Sequence, residues 1–385
     1  MEQQLLHQPS PQSPLRRFFE WFIRDKVFLV SFILAMLFVI FGRAHFTTRF
    51  FDYKVIFTVF GIMLVIEGFR STGLLTFLGE TLVKRSANTR QLVRFTTNLT
   101  FFLAIFFTND LTILTVLPLY MLITRHIENR RSVYLGAAFI LPACHLGSSL
   151  FPFGNPHNLY LYSFYHIPTL HFMMATGLLW FSGLVVLNLA IFLIDKEPIK
   201  VKTEVQEFKK RRTIIFVALL LVMALSVFNA FPYIWATAFV VVVIAIYRPK
   251  CFRHVDYHLL LTFICFFLIV GNIVDITWIT HTIHAVANGV QSTFLSTVVV
   301  SQFISNISSS VLISPFTTHG ISVVLGADVG GIGTFFASMA TLIAYKVIRM
   351  QSHHEAAGFV KYFLLSNACF LVVMTLVGLV IVTII

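Results

Sequence analysis

The sequence is poor in charge. Of its 385 residues, 16 are acidic and 28 are Lys or Arg, so charged side chains make up 11%, against about 25% in an ordinary soluble domain. That shortfall excludes a water-exposed globule of this size. Cysteine is scarce as well: Cys144, Cys251, Cys265 and Cys369 are scattered, three of them in apolar stretches, and suggest neither a disulfide framework nor a metal site. No G-x-x-x-x-G-K-[ST] loop occurs, so nothing points to direct use of ATP. No His/Asp/Glu constellation suggests an enzyme. The first apolar run lacks a small-residue cleavage site at its end and follows a long polar lead, Met1 to Lys26, so a cleaved signal peptide is not expected.

What is present is apolar. Hydrophobic residues make up 57% and Phe alone accounts for 43 positions, read here as mostly lipid-facing bulk and not a cofactor box. The net charge of +12 sits in short clusters between long apolar runs, which speaks against a nucleic-acid-binding face and for a polytopic protein whose partner is the lipid bilayer. Runs long enough to approach the roughly 20 residues a membrane helix needs are 27–42, 53–69, 170–194, 213–229, 232–247, 258–273 and 359–385. Between them, four apolar stretches are broken by polar, Gly or Pro residues: around Thr108–Asp110, Gly147–Asn158, Ser305–Ser310 and Gly330–Thr341. Inside lipid, broken backbone is tolerated only where protein buries it or a watery cavity meets it, so these breaks carry the information.

Basic clusters give the orientation. Arg16, Arg17, Arg24 and Lys26 place the N-terminus inside. Lys84/Arg85/Arg90/Arg94, Arg125/Arg130/Arg131, the segment Lys196–Arg212 and Arg248/Lys250/Arg253 mark further cytoplasmic loops. Only the short loop with Arg43, Arg49 and Lys54 disagrees. The expected organisation is a cytoplasmic tail (1–26), a first transmembrane repeat (27–194, hairpin near 91–126), a basic linker (195–212) and a second repeat (213–385, hairpin near 291–318), in the cytoplasmic, or inner, membrane.

The halves match. Asp52-Tyr53-Lys54 returns as Asp256-Tyr257-His258. Thr108-Asn109-Asp110-Leu111-Thr112, with Pro118, returns as Ser305-Asn306-Ile307-Ser308-Ser309, with Pro315. Gly147…Gly154-Asn155-Pro156-His157-Asn158 aligns with Gly330…Ala337-Ser338-Met339-Ala340-Thr341. Charge places the helix after Asp52 running inward and the one after Asp256 running outward. The fold expected is therefore an all-α polytopic membrane protein, an inverted repeat with two re-entrant helical hairpins and two broken transmembrane helices. That is secondary-transporter architecture: half-helix N-termini attract anions, and half-helix C-termini offer carbonyls to cations. A channel or a polytopic membrane enzyme are the rivals from other classes.

The same residues carry a resemblance. Thr108-Asn109-Asp110 and Ser305-Asn306 resemble the paired Ser-Asn-Thr-type hairpin tips of the ion-transporter superfamily, which holds divalent-anion:sodium symporters, citrate permeases, arsenite permeases and NhaD-type sodium/proton antiporters. Gly154-Asn155-Pro156-His157-Asn158 resembles the G-N-P-x-N of its citrate-permease-like members. Gly326-Ala327-Asp328-Val329-Gly330, followed by Ala337-Ser338-Met339-Ala340-Thr341-Leu342, resembles the G-x-D-L-G…G-S-L-A-T-L run of the arsenite permeases. The resemblance implies a carrier of a small anion or inorganic ion driven by sodium or protons. It implies ligands at Thr108, Asn109, Asp110, Thr112, Ser305, Asn306 and Ser308, and at Gly154, Asn155, Pro156, Asn158, Ala337, Ser338 and Thr341. No cofactor is expected beyond a sodium ion at the Asn109 and Asn306 tips. A homodimer remains an option. Two departures, Asp110 and Ile307 at the third tip position and Phe335-Phe336 before Ala337, point away from a dicarboxylate.

Asp110, His145 and Asp328 are the candidate proton carriers, and Asp110 would make the protein a sodium/proton antiporter. Glu67 and Arg70, a turn apart, read as an interfacial ion pair. His281/His284 and His353/His354 lie in loop or interfacial segments without Cys or carboxylate company, and a metal there is not expected. Thr72–Lys84 reads as an amphipathic surface helix beside the first hairpin, with Glu80 on its polar face.

Overall fold

The structure, a computed structural model, describes residues 22, 25–41, 50–199, 207–273, 277–351 and 353–385. Most of the tail 1–26, Arg43 and Arg49 of the short loop, and residues 200–206 of the basic linker lie outside the described residues. So do the side chains of Asp110, His353 and His354.

Among the described residues the regular structure is helical. In chain order the helices are α1 (Lys26–Phe41), α2 (Tyr53–Arg70), α3 (Leu74–Lys84), α4 (Thr89–Ala104), α5 (Asn109–Ile123), α6 (Arg130–Gly147), α7 (Pro156–Phe164), α8 (Thr169–Ala190), α9 (Lys210–Val227), α10 (Tyr233–Tyr247), α11 (Tyr257–Ile273), α12 (Thr277–Val286), α13 (Val290–Ile304), α14 (Asn306–Ile313), α15 (Gly320–Gly330), α16 (Met339–Gln351) and α17 (His353–Ile384). Every long apolar run is a helix. Their starts are set by short polar side chains that take up free N–H groups: Asp52 accepts from Val55 N at 3.1 Å, Asn88 from Gln91 N at 3.0 Å, and Asn129 from Ser132 N at 3.1 Å. Asp256, which matches Asp52 in the repeat, accepts from Leu259 N at 3.1 Å.

The chain forms two compact units. One holds α1 and α11, packed through Phe28, Ala35, Cys265, Leu268 and Ile269. Phe22 and Phe32 add edge-on ring contacts at centroid distances near 5 Å. The other unit holds the rest, including all four breaks. Here α4 lies on α6 and α13 lies on α15, each hairpin helix against the broken helix of its own half. The second hairpin arms cross over: α5 packs on α16, and α14 packs on α7. The long helices cross as well, α17 on α6 and α8 on α15. The two halves thus interlock as related sets.

Residues Thr169–Leu193 and Ala356–Ile384 are each long and apolar enough to cross a membrane. Their apolar surface is open, as at Leu170 (71%) and Ile384 (74%), which in water would be prohibitive and in lipid is not. The Phe residues are found in both settings: ten of the twelve largest fully buried side chains are Phe, while Phe102, Phe181, Phe192, Phe303 and Phe336 are exposed.

The amphipathic helix is found as α3, bent 56° from α2 and lying against α4 and α5. Glu80, expected on its polar face, is buried. The second half has an unexpected counterpart in α12, bent 112° from α13, and His281 and His284 sit on it and not in a loop. Glu67 and Arg70 do pair, at 3.5 Å.

Close approach of each broken helix to its hairpin depends on paired glycines. A Cβ on Gly147 would collide with the Phe101 carbonyl, and one on Gly330 would stand 2.6 Å from Ser301 Oγ. Gly147→Ala should therefore cost about 1–3 kcal/mol through a displaced helix, read as a lower Tm in detergent. Gly177→Ala on α8, where the added methyl meets only Leu150 Cδ1 at 3.9 Å, should melt with the parent.

Candidate functional site

The first tip is the turn between α4 and α5. Thr108 is the N-cap residue of α5 yet makes no side-chain cap bond. Asn109 does not cap either. Its side chain instead reaches the break after α6: Oδ1 accepts from Ser148 Oγ at 2.7 Å, and Nδ2 lies 3.0 Å from His145 Nδ1. The Cys144 thiol reaches the Asn109 carbonyl at 3.3 Å. Ser148 Oγ also accepts from Asn155 Nδ2 at 2.8 Å, across the 3₁₀ turn Pro152–Gly154. Tip and break are thereby one hydrogen-bonded body. Gly154 permits the turn, since a Cβ there would strike the Ser148 carbonyl, and Pro156 opens α7 at the position where a missing N–H costs nothing.

The second tip is built differently. Ser305 joins α13 to α14 with φ 78° and ψ 154°, a region that only Gly enters freely. Its Oγ accepts from Ser308 N and lies 3.2 Å from Ser308 Oγ. Asn306 N–H donates to Ala337 O at 2.9 Å, tying this tip to the second break through the main chain. Asn306 Oδ1 accepts from Ile307 N at 3.0 Å. Gln302, a turn before the tip, completes the clasp. Its Nε2 donates to Gly330 O (2.8 Å) and Ile332 O (3.1 Å), and its Oε1 accepts from Thr334 N at 3.0 Å. Ser338 and Thr341 are buried, and Ser338 Oγ accepts from Ala340 N within its own turn.

Both tips approach His145 Nδ1. A point one Cβ length off Gly331 is 2.8 Å from Asn306 Nδ2 and 2.9 Å from His145 Nδ1, so the second tip flanks the imidazole that the first tip contacts. Asp328, on α15, meets the first break from the other half. Asn158 Nδ2 donates to both of its oxygens at 3.0 and 3.2 Å, and His157 Nε2 stands 3.2 Å from Oδ1. The carboxylate is fully engaged and fastens α15 to α7.

Three buried polar atoms in this region have no partner among the described residues: His145 Nε2, Asn158 Oδ1 and Thr112 Oγ1. A buried polar atom without a hydrogen bond costs free energy, and such atoms are where a ligand would be met. The sequence reading did not single out Ser148, Cys144, His157 or Gln302. Ser148 and His157 stand inside the first break and could have been weighed there. Gln302 carries no signal, being one amide in an apolar helix.

Residues 19–319 match the family described as CitMHS, citrate transporter. An uncharacterized transporter of Methanocaldococcus jannaschii is 30% identical over 299 residues, covering 77% of this chain and 81% of its own. The inner membrane protein YbiR of Escherichia coli is 26% identical over 304 residues, 77% and 80% of the two chains. The solved structure of the Alcanivorax borkumensis YdaH transporter superposes with a TM-score of 0.49 at 13% identity, covering 85% and 84%.

Two outcomes follow from the tip geometry. Ser148→Ala removes the hydroxyl that Asn109 and Asn155 share and should destabilise the protein by about 1–3 kcal/mol, measured as Tm in detergent. At Ser305, where a non-Gly residue is strained by about 1–3 kcal/mol, Ser305→Gly should melt above Ser305→Ala, since both lose the hydroxyl and only Gly relieves the backbone.

Proposed function

This chain belongs to the citrate transporter family of multi-pass membrane transporters, and from that membership we propose that it is a secondary active carrier of a small anion, with citrate the first candidate, driven by a sodium or proton gradient. It moves its solute by alternating access at a site between the two hairpin tips and the two broken helices, in the inner membrane, with the N-terminus inside.

The observation that carries this reading is the approach of Asn109 and Asn306, one from each half, to the same ring nitrogen of His145, Asn109 directly and Asn306 across Gly331. Four helix N-termini begin at these tips and breaks, those of α5, α7, α14 and α16. Each places the positive end of a helix dipole where an anion is stabilised, although the first N–H groups of α14 are already taken by Ala337 O, Asn306 Oδ1 and Ser305 Oγ. Among the described residues no Lys or Arg is buried, so a multiply charged anion has to draw its remaining balance from co-bound cations. That is the physical basis of coupling: a sodium ion or proton at the tips adds charge that raises affinity for the anion, and the anion in turn raises affinity for the cation. The carbonyl ends of α4, α6, α13 and α15 supply oxygen ligands of the kind sodium takes. Asp110 and Asp328 are the carboxyl groups offered to a proton, Asp328 already held by His157 and Asn158.

The test is counterflow of labelled citrate in proteoliposomes, with and without an inward sodium or proton gradient. Saturable exchange stimulated by one gradient is expected, with Asn109→Ala and Asn306→Ala each lowering the initial rate at least about tenfold. Unitary currents, product formation, or no exchange of citrate, succinate, sulfate or arsenite would overturn it.

A further inference from the structure

The hydrogen bonds around Asn109 fix more than a tip. Ser148 Oγ takes a proton donor from Asn155 Nδ2, so its own hydrogen is free to be given away, and its shortest acceptor is Asn109 Oδ1 at 2.7 Å. The Cys144 thiol stands on the same side, 3.6 Å from Oδ1. Oxygen therefore faces Ser148, and the amide nitrogen faces His145. An amide nitrogen carries only hydrogens, so His145 Nδ1, 3.0 Å away, is the acceptor and holds a lone pair. In the neutral imidazole the proton then sits on Nε2. That atom is buried on a residue 2% exposed, and it has no partner among the described residues.

We propose that the His145 Nε2–H is a substrate donor: it gives a hydrogen bond to a carboxylate or oxyanion oxygen of the transported anion, while Nδ1 holds the ring to the first tip. This deepens the proposed function and rests on it. The chemistry is specific. An N–H aimed by a fixed tautomer donates to an anion oxygen and rejects a cation, so one ring would set both the sign of the solute and the position of Asn109. Asn306 approaches the same Nδ1 edge across Gly331, so both tips sit at the held end of the ring and Nε2 is the end left to the anion. The desolvation cost of the unmade bond is removed when the anion arrives, so the interaction favours anion over empty site.

Two substitutions separate the ring nitrogens. The amide oxygen of His145→Asn can replace Nδ1 as acceptor for Asn109, with nothing at the Nε2 position. The amide nitrogen of His145→Gln can replace the Nε2 donor, with the link to Asn109 lost. With citrate counterflow as readout, His145→Asn should raise KM about tenfold with little change in maximal rate and in Tm. His145→Gln should keep a KM near that of the parent and melt lower. A second measurement needs no variant to fold: ¹⁵N-histidine spectra of the parent in nanodiscs, with and without citrate. A proton on Nε2 whose resonance moves on adding citrate and not on adding sodium chloride supports the inference. A proton on Nδ1, a resonance unmoved by citrate, or an unchanged KM in His145→Asn overturns it while leaving parental transport, and so the carrier reading, intact. A parent that exchanges none of the four anions overturns both.

Discussion

A helix broken within a hydrocarbon layer frees backbone groups that lipid cannot satisfy. Everything distinctive in this molecule answers that constraint. Both broken helices end on a glycine, Gly147 and Gly330, that lets them lie against a hairpin helix closely enough for polar groups to be shared. In the second half Gln302 of the hairpin takes up freed backbone groups; in the first, Ser148 of the break faces its own freed carbonyls and is held to the tip by Asn109. Neither could persist at depth without the other.

The two halves solve the same problem with different chemistry. In the first, side chains do the joining: Asn109, Ser148, Asn155 and His145 form a continuous hydrogen-bonded run. In the second, the main chain joins directly, from Asn306 N–H to Ala337 O, and Gln302 sews the unwound segment to its hairpin. The strain at Ser305 is the cost of bringing α14 close enough for that backbone bond. One half therefore joins tip to break through side chains, and the other through the main chain.

Much of this was legible from residue order. The long apolar runs, the two Asn tips and the two breaks fell where they were expected because hydrophobic length and Gly/Pro/Asn punctuation are local signals. The Asp52 and Asp256 pair was readable as matched helix starts for the same reason. What could not be read were meetings across sequence. Nothing near Asp328 announces that Asn158 and His157 will hold it, and nothing near Gln302 announces a clasp on Gly330. The helix α12 was missed because its run is short and carries two His.

The crossed packing of the hairpin arms has a consequence for biosynthesis. The arm α5 is finished at Ile123, yet the helix it packs on, α16, begins only at Met339. At about 5–20 residues per second, a ribosome takes on the order of tens of seconds to cover that interval. Throughout it the first tip has left the insertion machinery with only its local companions, and the second half must thread between elements already lodged in the bilayer. Translation pauses, codon choice or a membrane chaperone acting in that window bear on the yield of folded protein, independently of how well the finished molecule works.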